Sequence, residues 1–224
     1  MFPDHLIIDF DSTFVTVESL DELAHIVLKD NPESAQRLET IRAITRAGME
    51  GSIPFDESLS KRLKLLNINQ KDIHAATIVL AKKVTPSFKR NKQFLMENAQ
   101  NILIISGGFY EMIIPIVLEY GIVEDQVFAN KFVYKGTSRI AHVDSQNIMA
   151  QSGGKVAQAN ALGLAGEIHV IGDGYTDYQI KSEGPAKKFF AFIENIRRNS
   201  VCEVADVVLS DRKSTRLNSS HSEI

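Results

Sequence analysis

Short, continuous runs of β-branched and aromatic residues recur along the chain and do not alternate with polar ones. They are Leu6–Phe10, Ile102–Ser106, Gln126–Ala129, Ile168–Gly172, Lys188–Phe192 and Ala205–Ser210. An unbroken apolar run suits a strand buried on both faces, which in water means a parallel sheet with helices on either side. The stretches between runs are helical in pattern. Phe109–Tyr120 ends at Gly121, a C-terminal cap, with Pro115 inside it expected to kink the helix or cost one hydrogen bond. Lys155–Leu162 follows Gly153-Gly154 and stops at Gly163. Strands alternating with helices predict a three-layer α/β/α architecture.

The stretch from Phe14 to Lys83 breaks the alternation. It holds no strand pattern but about four amphipathic helical segments. One spans Val17–Lys29, a second opens at Asn31-Pro32, a third carries Phe55, Leu59 and Leu66 on one face, and Asn69 caps the fourth with Asp72 three residues on. An all-helical insert directly after the first strand can cover an active site at the end of a sheet. The expected division is a core of 1–13 and 86–210, a helical cap of 14–85, and a serine-rich tail of 211–224. That tail is expected to be disordered or non-native, and it resembles translated sequencing-adapter read-through.

Composition limits the classes of function. Hydrophobic residues make up 44% and charged residues 24%, so a packed core is expected rather than disorder. A net charge of −3 gives no footprint for nucleic acid or an anionic membrane. The N-terminal residues lack the basic-then-apolar order of a secretory signal, and no apolar stretch approaches membrane-spanning length. One cysteine, Cys202, excludes an internal disulfide framework. A cytoplasmic setting is expected.

Residues with chemical potential fall at the ends of the apolar runs. Asp9 and Asp11 close the first run; at i and i+2 they share a side, unfavourably unless a cation or a shared proton intervenes. They serve equally well as solvated turn acids. Ser106-Gly107-Gly108 ends the second run, where glycines admit a substrate to the backbone or simply turn the chain. Lys155 opens a helix, against the helix dipole unless an anion binds, or stands as a solvated surface lysine. Gly172-Asp173-Gly174-Tyr175-Thr176-Asp177 adds two acids at the same edge, where open α/β sheets bind ligands. Together, clustered carboxylates, a hydroxyl and a lysine suit Mg²⁺-assisted phosphoryl transfer.

The order Asp9-x-Asp11-Ser12-Thr13, Ser106-Gly107-Gly108, Lys155, Gly172-Asp173-Gly174-x-Thr176-Asp177 resembles the haloacid-dehalogenase (HAD) phosphatases, with a helical cap in the position of that superfamily's first cap type. More narrowly, Glu18, the run Thr45–Leu66 and the VFAN segment resemble the phosphoserine phosphatases. The resemblance implies a HAD-like (Rossmannoid) fold and a phosphoric monoester hydrolase acting on a small phosphate ester, L-phosphoserine, in serine biosynthesis. It implies Asp9 as nucleophile and Asp11 as acid and base. Mg²⁺ would be held by Asp9, Asp11 through its backbone carbonyl, and Asp173, with Asp177 in support. Ser106, Gly107 and Lys155 would bind the phosphoryl group. Arg62, which otherwise reads as a snorkelling arginine on an apolar stripe, would clasp the substrate carboxylate and Glu18 its ammonium. Met49 and Phe55 would shield the pocket. The resemblance also implies a flap-like hairpin within Lys131–Ser152 and a closing helix, whose place the serine-rich tail takes.

Three other readings stand beside this one. The chain would act on another phosphorylated amino acid or amino alcohol, would pass the phosphoryl group to an alcohol, or would bind without turnover. No nucleic acid or membrane partner is expected, and either a monomer or a homodimer is compatible with the sequence. His25, His74, His142 and His169 form no site.

Overall fold

The structure, a computed structural model, describes residues 2–49, 52–136 and 138–210. The tail at 211–224 lies outside the described residues. In chain order the elements are β1 (His5–Ile8), then α1 (Ser19–Val27), α2 (Ser34–Met49), α3 (Phe55–Lys64) and α4 (Gln70–Lys82). Two short helices, α5 (Pro86–Arg90) and α6 (Lys92–Glu97), lead to β2 (Ile102–Phe109), α7 (Tyr110–Val117) and β3 (Val127–Asn130). A hairpin of β4 (Phe132–Lys135) and β5 (Arg139–Val143) follows. The chain closes with α8 (Gly154–Ala161), β6 (Ile168–Gly172), α9 (Tyr175–Ser182), β7 (Lys188–Phe192), α10 (Asn199–Val204) and β8 (Val207–Leu209).

Six strands form one sheet in the order β3-β2-β1-β6-β7-β8, and every pairing in it is parallel. The side-chain period of two explains the continuous apolar runs. Leu6 and Ile8 enter one apolar cluster and Ile7 enters the other; Ile102 and Ile104 face the first, Ile105 the second. Both faces of the central strands are therefore dry, as the runs require. The three-layer parallel α/β fold expected from the sequence is the fold observed.

The first cluster does not stop at the sheet. It continues through Leu20 and Leu23 of α1, Leu59 of α3, and Ile73, Ala76 and Leu80 of α4. The helical segment thus shares its apolar interior with one face of the sheet. It is joined to the sheet by two crossing strands, where Val15 bridges Val84, Thr16 N–H donates to Lys83 O at 2.9 Å and Thr85 N–H donates to Phe14 O at 2.9 Å.

Local differences from the sequence reading have local causes. The second helix begins at Ser34, because the Asn31 side chain accepts from Glu33 N–H at 2.8 Å and holds a turn first. The third ends at Lys64, so Leu66 is buried from beyond the helix. Pro115 forgoes one bond, yet α7 continues to Val117. A 3₁₀ turn then ends at Gly121, whose φ of 78° is the left-handed cap. The hairpin β4–β5 fills the region where a flap was expected. The short helix α10 had no sequence signal. No helix among the described residues is long and apolar enough to cross a membrane.

Asn69 and Asp72 form a reciprocal capping box: the Asn69 side chain accepts from Lys71 and Asp72 N–H at 2.9 and 3.2 Å, and Asp72 accepts from Asn69 N–H at 2.9 Å. Replacing Asn69 by alanine should cost about 1 kcal/mol of stability, read as a lower urea midpoint at unchanged slope. An unshifted midpoint would remove the cap from the stabilising contacts.

Candidate active site

The strand β1 ends at Ile8, and the chain then winds into one wide turn, Phe10–Phe14, closed by Val15 N–H donating to Phe10 O at 3.0 Å. Inside it Ser12 takes φ 53°, the left-handed region that a residue with a Cβ enters only when its surroundings impose it. The turn corrects the expectation that Asp9 and Asp11 sit side by side on a strand. Asp9 is buried and accepts from Phe10 N–H at 2.8 Å. Asp11 is carried over to Ser19, whose N–H and hydroxyl donate to its two oxygens at 3.0 and 2.9 Å. Burial, then the charges of Glu18 and Asp9, raise the Asp11 carboxyl well above its ordinary value. Glu18 accepts from the Ser12 hydroxyl at 2.7 Å and is raised chiefly by burial.

The lysine at the start of α8 is not a surface group. Lys155 Nζ lies 2.9 Å from Asp9 Oδ1 and 2.7 Å from Asp177 Oδ1, well buried. Burial alone would lower its pKa, but the Asp177 and Asp9 carboxylates outweigh burial and hold it charged. Asp177 Oδ2 accepts from Gly174 N–H at 3.0 Å. Asp173 accepts from Arg198 Nη2 and Nε at 2.8 and 3.2 Å, and from the Thr13 hydroxyl at 3.4 Å. Asp173 is pushed up to about 6 and Asp177 to about 7, each by burial first and then by the Asp9 charge.

Asp9, Asp173 and Asp177 each offer a carboxylate oxygen within 4.8 Å of the others, all three buried. The Asp9 charge helps raise the Asp173 and Asp177 carboxyls, an effect that a divalent cation reverses; oxygen-only donors suit a hard ion such as Mg²⁺. The residues therefore fit that ion. Asp9 and Asp173 belong to the set expected and Asp177 to its expected support; the Asp11 carboxylate, expected to contribute only through its backbone carbonyl, is engaged by Ser19.

Ser106 is fully buried, and its Oγ accepts from Gly108 N–H at 3.0 Å. This end of β2 is held from β3, where Asn130 donates to Gly107 O at 2.8 Å. Gly107 has no Cβ because the Phe55 ring rests there; an added Cβ would lie 3.3 Å from it. Arg62 is 8% exposed, so the snorkelling alternative fails. Its Nη1 donates to the Thr45 hydroxyl and its Nε to Ser58 O, both at 3.4 Å. Burial lowers its pKa, and the charges of Asp21, Glu18 and Asp11 raise it again. Asp9, Asp11, Glu18, Phe55, Arg62 and Lys155 line one cavity of about 210 Å³, with Ser106, Gly107, Asp173 and Asp177. Met49 closes α2, and its side chain lies outside the described residues.

Sequence reasoning missed Arg198 and Ser19, and it placed Thr13 and Thr45 in motifs without giving either a contact of its own. Arg198 sits in an Ile-Arg-Arg-Asn run that reads as surface, and Ser19 looks like an ordinary first-turn serine. A carboxylate against an ammonium, beside a second carboxyl whose pKa burial raises, can attack phosphorus and protonate a leaving oxygen.

No family model matches the chain. A solved structure described as a phosphoserine phosphohydrolase-like protein from Francisella tularensis subsp. tularensis SCHU S4 is 31% identical, covers 92% of this chain and 94% of that one, and superposes with a TM-score of 0.79. The chloroplastic phosphoserine phosphatase of Arabidopsis thaliana is 29% identical over 201 residues, 88% of this chain and 65% of that protein. The phosphoserine phosphatase of Homo sapiens is 28% identical over 214 residues, 93% of this chain and 89% of that protein. The chain thus spans just under two thirds of the Arabidopsis relative's length. Fold and site together are those of a phosphoric monoester hydrolase. The chain belongs to the HAD superfamily and, within it, is phosphoserine phosphatase-like.

The raised carboxyls set a pH dependence. Asp173 and Asp177 titrate at about 6 and about 7 when folded, against 3.8 when unfolded. Across that interval the folded protein binds protons that the unfolded chain has released, so stability falls as pH rises. Without divalent cations the thermal midpoint should drop between about pH 4.5 and about pH 7.5, and Asp177→Asn should flatten the drop. Added Mg²⁺ should raise the midpoint more at the upper pH than at the lower. A midpoint that climbs with pH, in both proteins alike, would contradict the cluster's electrostatics.

Proposed function

We propose that the chain hydrolyses O-phospho-L-serine to L-serine and phosphate, through an aspartyl-phosphate on Asp9 and with Mg²⁺ bound. The observation that carries this reading is the joining, in one cavity, of the Asp9–Lys155 centre with buried Arg62 and Glu18. A guanidinium and a carboxylate facing one pocket match the carboxylate and ammonium of an amino acid.

The phosphoryl oxygens are received by the Lys155 ammonium, the Ser106 hydroxyl and the backbone N–H of Gly107, that of Gly108 being engaged by Ser106 Oγ. Asp9 attacks phosphorus in line; the bond to the serine oxygen breaks, and Asp11 delivers its proton to that oxygen. The Asp11 carboxylate then takes a proton from water, the water oxygen attacks phosphorus, and the Asp9–phosphorus bond breaks. Asp9, Asp173 and the Asp11 carbonyl, supported by Asp177, would hold Mg²⁺, whose charge offsets the repulsion between the Asp9 carboxylate and the phosphate dianion. Residues 14–85 act as the cap over a core of 1–13 and 86–210, and Phe55 on α3 excludes water from above Gly107. The setting is cytoplasmic, where Cys202 remains a thiol.

Phosphate release from L-phosphoserine, phosphoethanolamine and p-nitrophenyl phosphate, with and without Mg²⁺, tests the reading. Release should require Mg²⁺ and be fastest from phosphoserine, and Asp9→Asn should abolish it in a folded protein. Arg62→Lys keeps the charge and loses the fork, so KM for phosphoserine should rise about tenfold or more, with little change for p-nitrophenyl phosphate. Release from the carboxylate-free esters alone would keep the chemistry and discard the serine pocket. Full activity in Asp9→Asn would discard the nucleophile.

A further inference from the structure

Ser12 holds a left-handed φ of 53° in the turn between Asp9 and the first helix. A non-glycine residue there costs on the order of 1 kcal/mol or more, and it persists only where its neighbours fix it from several sides. Two restraints are local: Ser12 N–H donates to Val17 O at 3.1 Å, and its hydroxyl donates to Glu18. The third comes from the far end of the chain. Asn195, just beyond β7, directs its Nδ2 at Ser12 O (3.1 Å), Thr13 O (3.3 Å), Val15 O (3.4 Å) and Thr85 Oγ1 (2.7 Å).

All four of those partners are acceptors. The Thr85 hydroxyl spends its proton on Thr13 O at 2.7 Å, so it receives from Asn195. An amide nitrogen with two hydrogens answers this arrangement, and a carboxylate oxygen cannot. The contacts fall on both crossing strands that join the helical segment to the sheet, Phe14–Val15 on the way out and Val84–Thr85 on the way back. The residues flanking Asn195 anchor it to the same region: Glu194 accepts from Ser87 N–H at 3.1 Å and Arg198 grips Asp173.

We propose that Asn195 is a positioning residue for phosphoryl transfer. It fixes the turn that carries Asp9 and Asp11 and locks that turn to the hinge of the helical segment. The inference rests on the phosphatase reading above. It acts on the reacting carboxylates, not on the pocket for the amino-acid end, so its loss should appear in kcat. Small misplacements of reacting groups lower rates by orders of magnitude while leaving binding intact.

The test compares wild type, Asn195→Asp and Thr85→Val, each checked for folding by thermal unfolding. Asn195→Asp keeps the volume and removes the donor. Its kcat should fall about tenfold or more on phosphoserine and p-nitrophenyl phosphate alike, with KM within about twofold. Thr85→Val should show a smaller fall with the same split. Amide hydrogen exchange should quicken at Ser12, Val15 and Thr85 in both variants and stay unchanged in β2 and α7. A folded Asn195→Asp with wild-type kcat, or a loss confined to KM for phosphoserine, overturns the proposal. If Asn195→Asp does not fold, Thr85→Val decides on the same two readouts. A wild type that releases phosphate from no ester sinks the proposed function instead, and exchange at Ser12 then judges Asn195 alone.

Discussion

Asp9, Asp173 and Asp177 converge on one buried point with Lys155 set among them, and the surrounding structure is arranged to tolerate that concentration of charge. Removing such groups from water costs several kcal/mol per ion unless partners and hydrogen bonds replace the hydration. Every partner here comes from a different element. Asp9 leaves β1, Asp173 leaves β6, Asp177 lies in the first turn of α9 and Lys155 opens α8. Only a parallel sheet brings those ends to one edge. Its strands must then be buried on both faces, and the two apolar clusters on either side of Ile7 and Ile8 supply the burial. Gly172 belongs to the same constraint, because the Asp177 side chain occupies the space a Cβ would fill.

Much of this was legible in the sequence because its causes are local. Continuous apolar runs gave the six strands to within a few residues, and Asn69 with Asp72 gave a cap that the structure forms in full. The acids were visible because they follow strand-like runs directly. Arg198 and Asn195 were not, and the reason is physical. Their partners are a carboxylate 25 residues away and backbone carbonyls 180 to 183 residues away. Nothing in an Asn-Ile-Arg-Arg run reports on a carbonyl at Ser12. Arg62 was half legible: the stripe of Phe55, Leu59 and Arg62 placed it on the buried face of α3. Whether its head reached water depended on Thr45 of α2 and on acids of α1.

That placement of Arg62 bears on selectivity. A guanidinium in a dry pocket is costly, and the nearby Asp21, Glu18 and Asp11 charges offset the cost only in part, since burial remains the largest influence on it. A ligand that brings its own carboxylate completes the compensation; a ligand without one leaves the guanidinium as it was. The same reasoning applies to Glu18, whose raised pKa an incoming ammonium would lower. On the proposed function, discrimination would come from incompletely compensated charge more than from shape, since polar groups left without their partner are what allow a site to reject an analogue strongly.

The boundary between the helical segment and the sheet is not equally firm along its length. On one side lie the half-buried amide of Asn195, the fully buried Thr85 and the bridge of Val15 with Val84. On the other side the start of α3 meets the loop before α8 through Ser152, whose Oγ accepts from Phe55 N–H at 3.2 Å and donates to Asp56 at 3.0 Å. Those two bonds are exposed, and water replaces exposed hydrogen bonds at little net cost. The Phe55 ring packs against Gly107 where a Cβ would crowd it. Separation of segment from sheet is therefore cheapest at Phe55, above the phosphoryl centre, and dearest at Ser12 and Thr85 beneath it. On the proposed function, a cavity that parted above Gly107 would admit a substrate while the Asp9–Asp11 turn kept its geometry, the division of labour that phosphoryl transfer at a buried carboxylate demands.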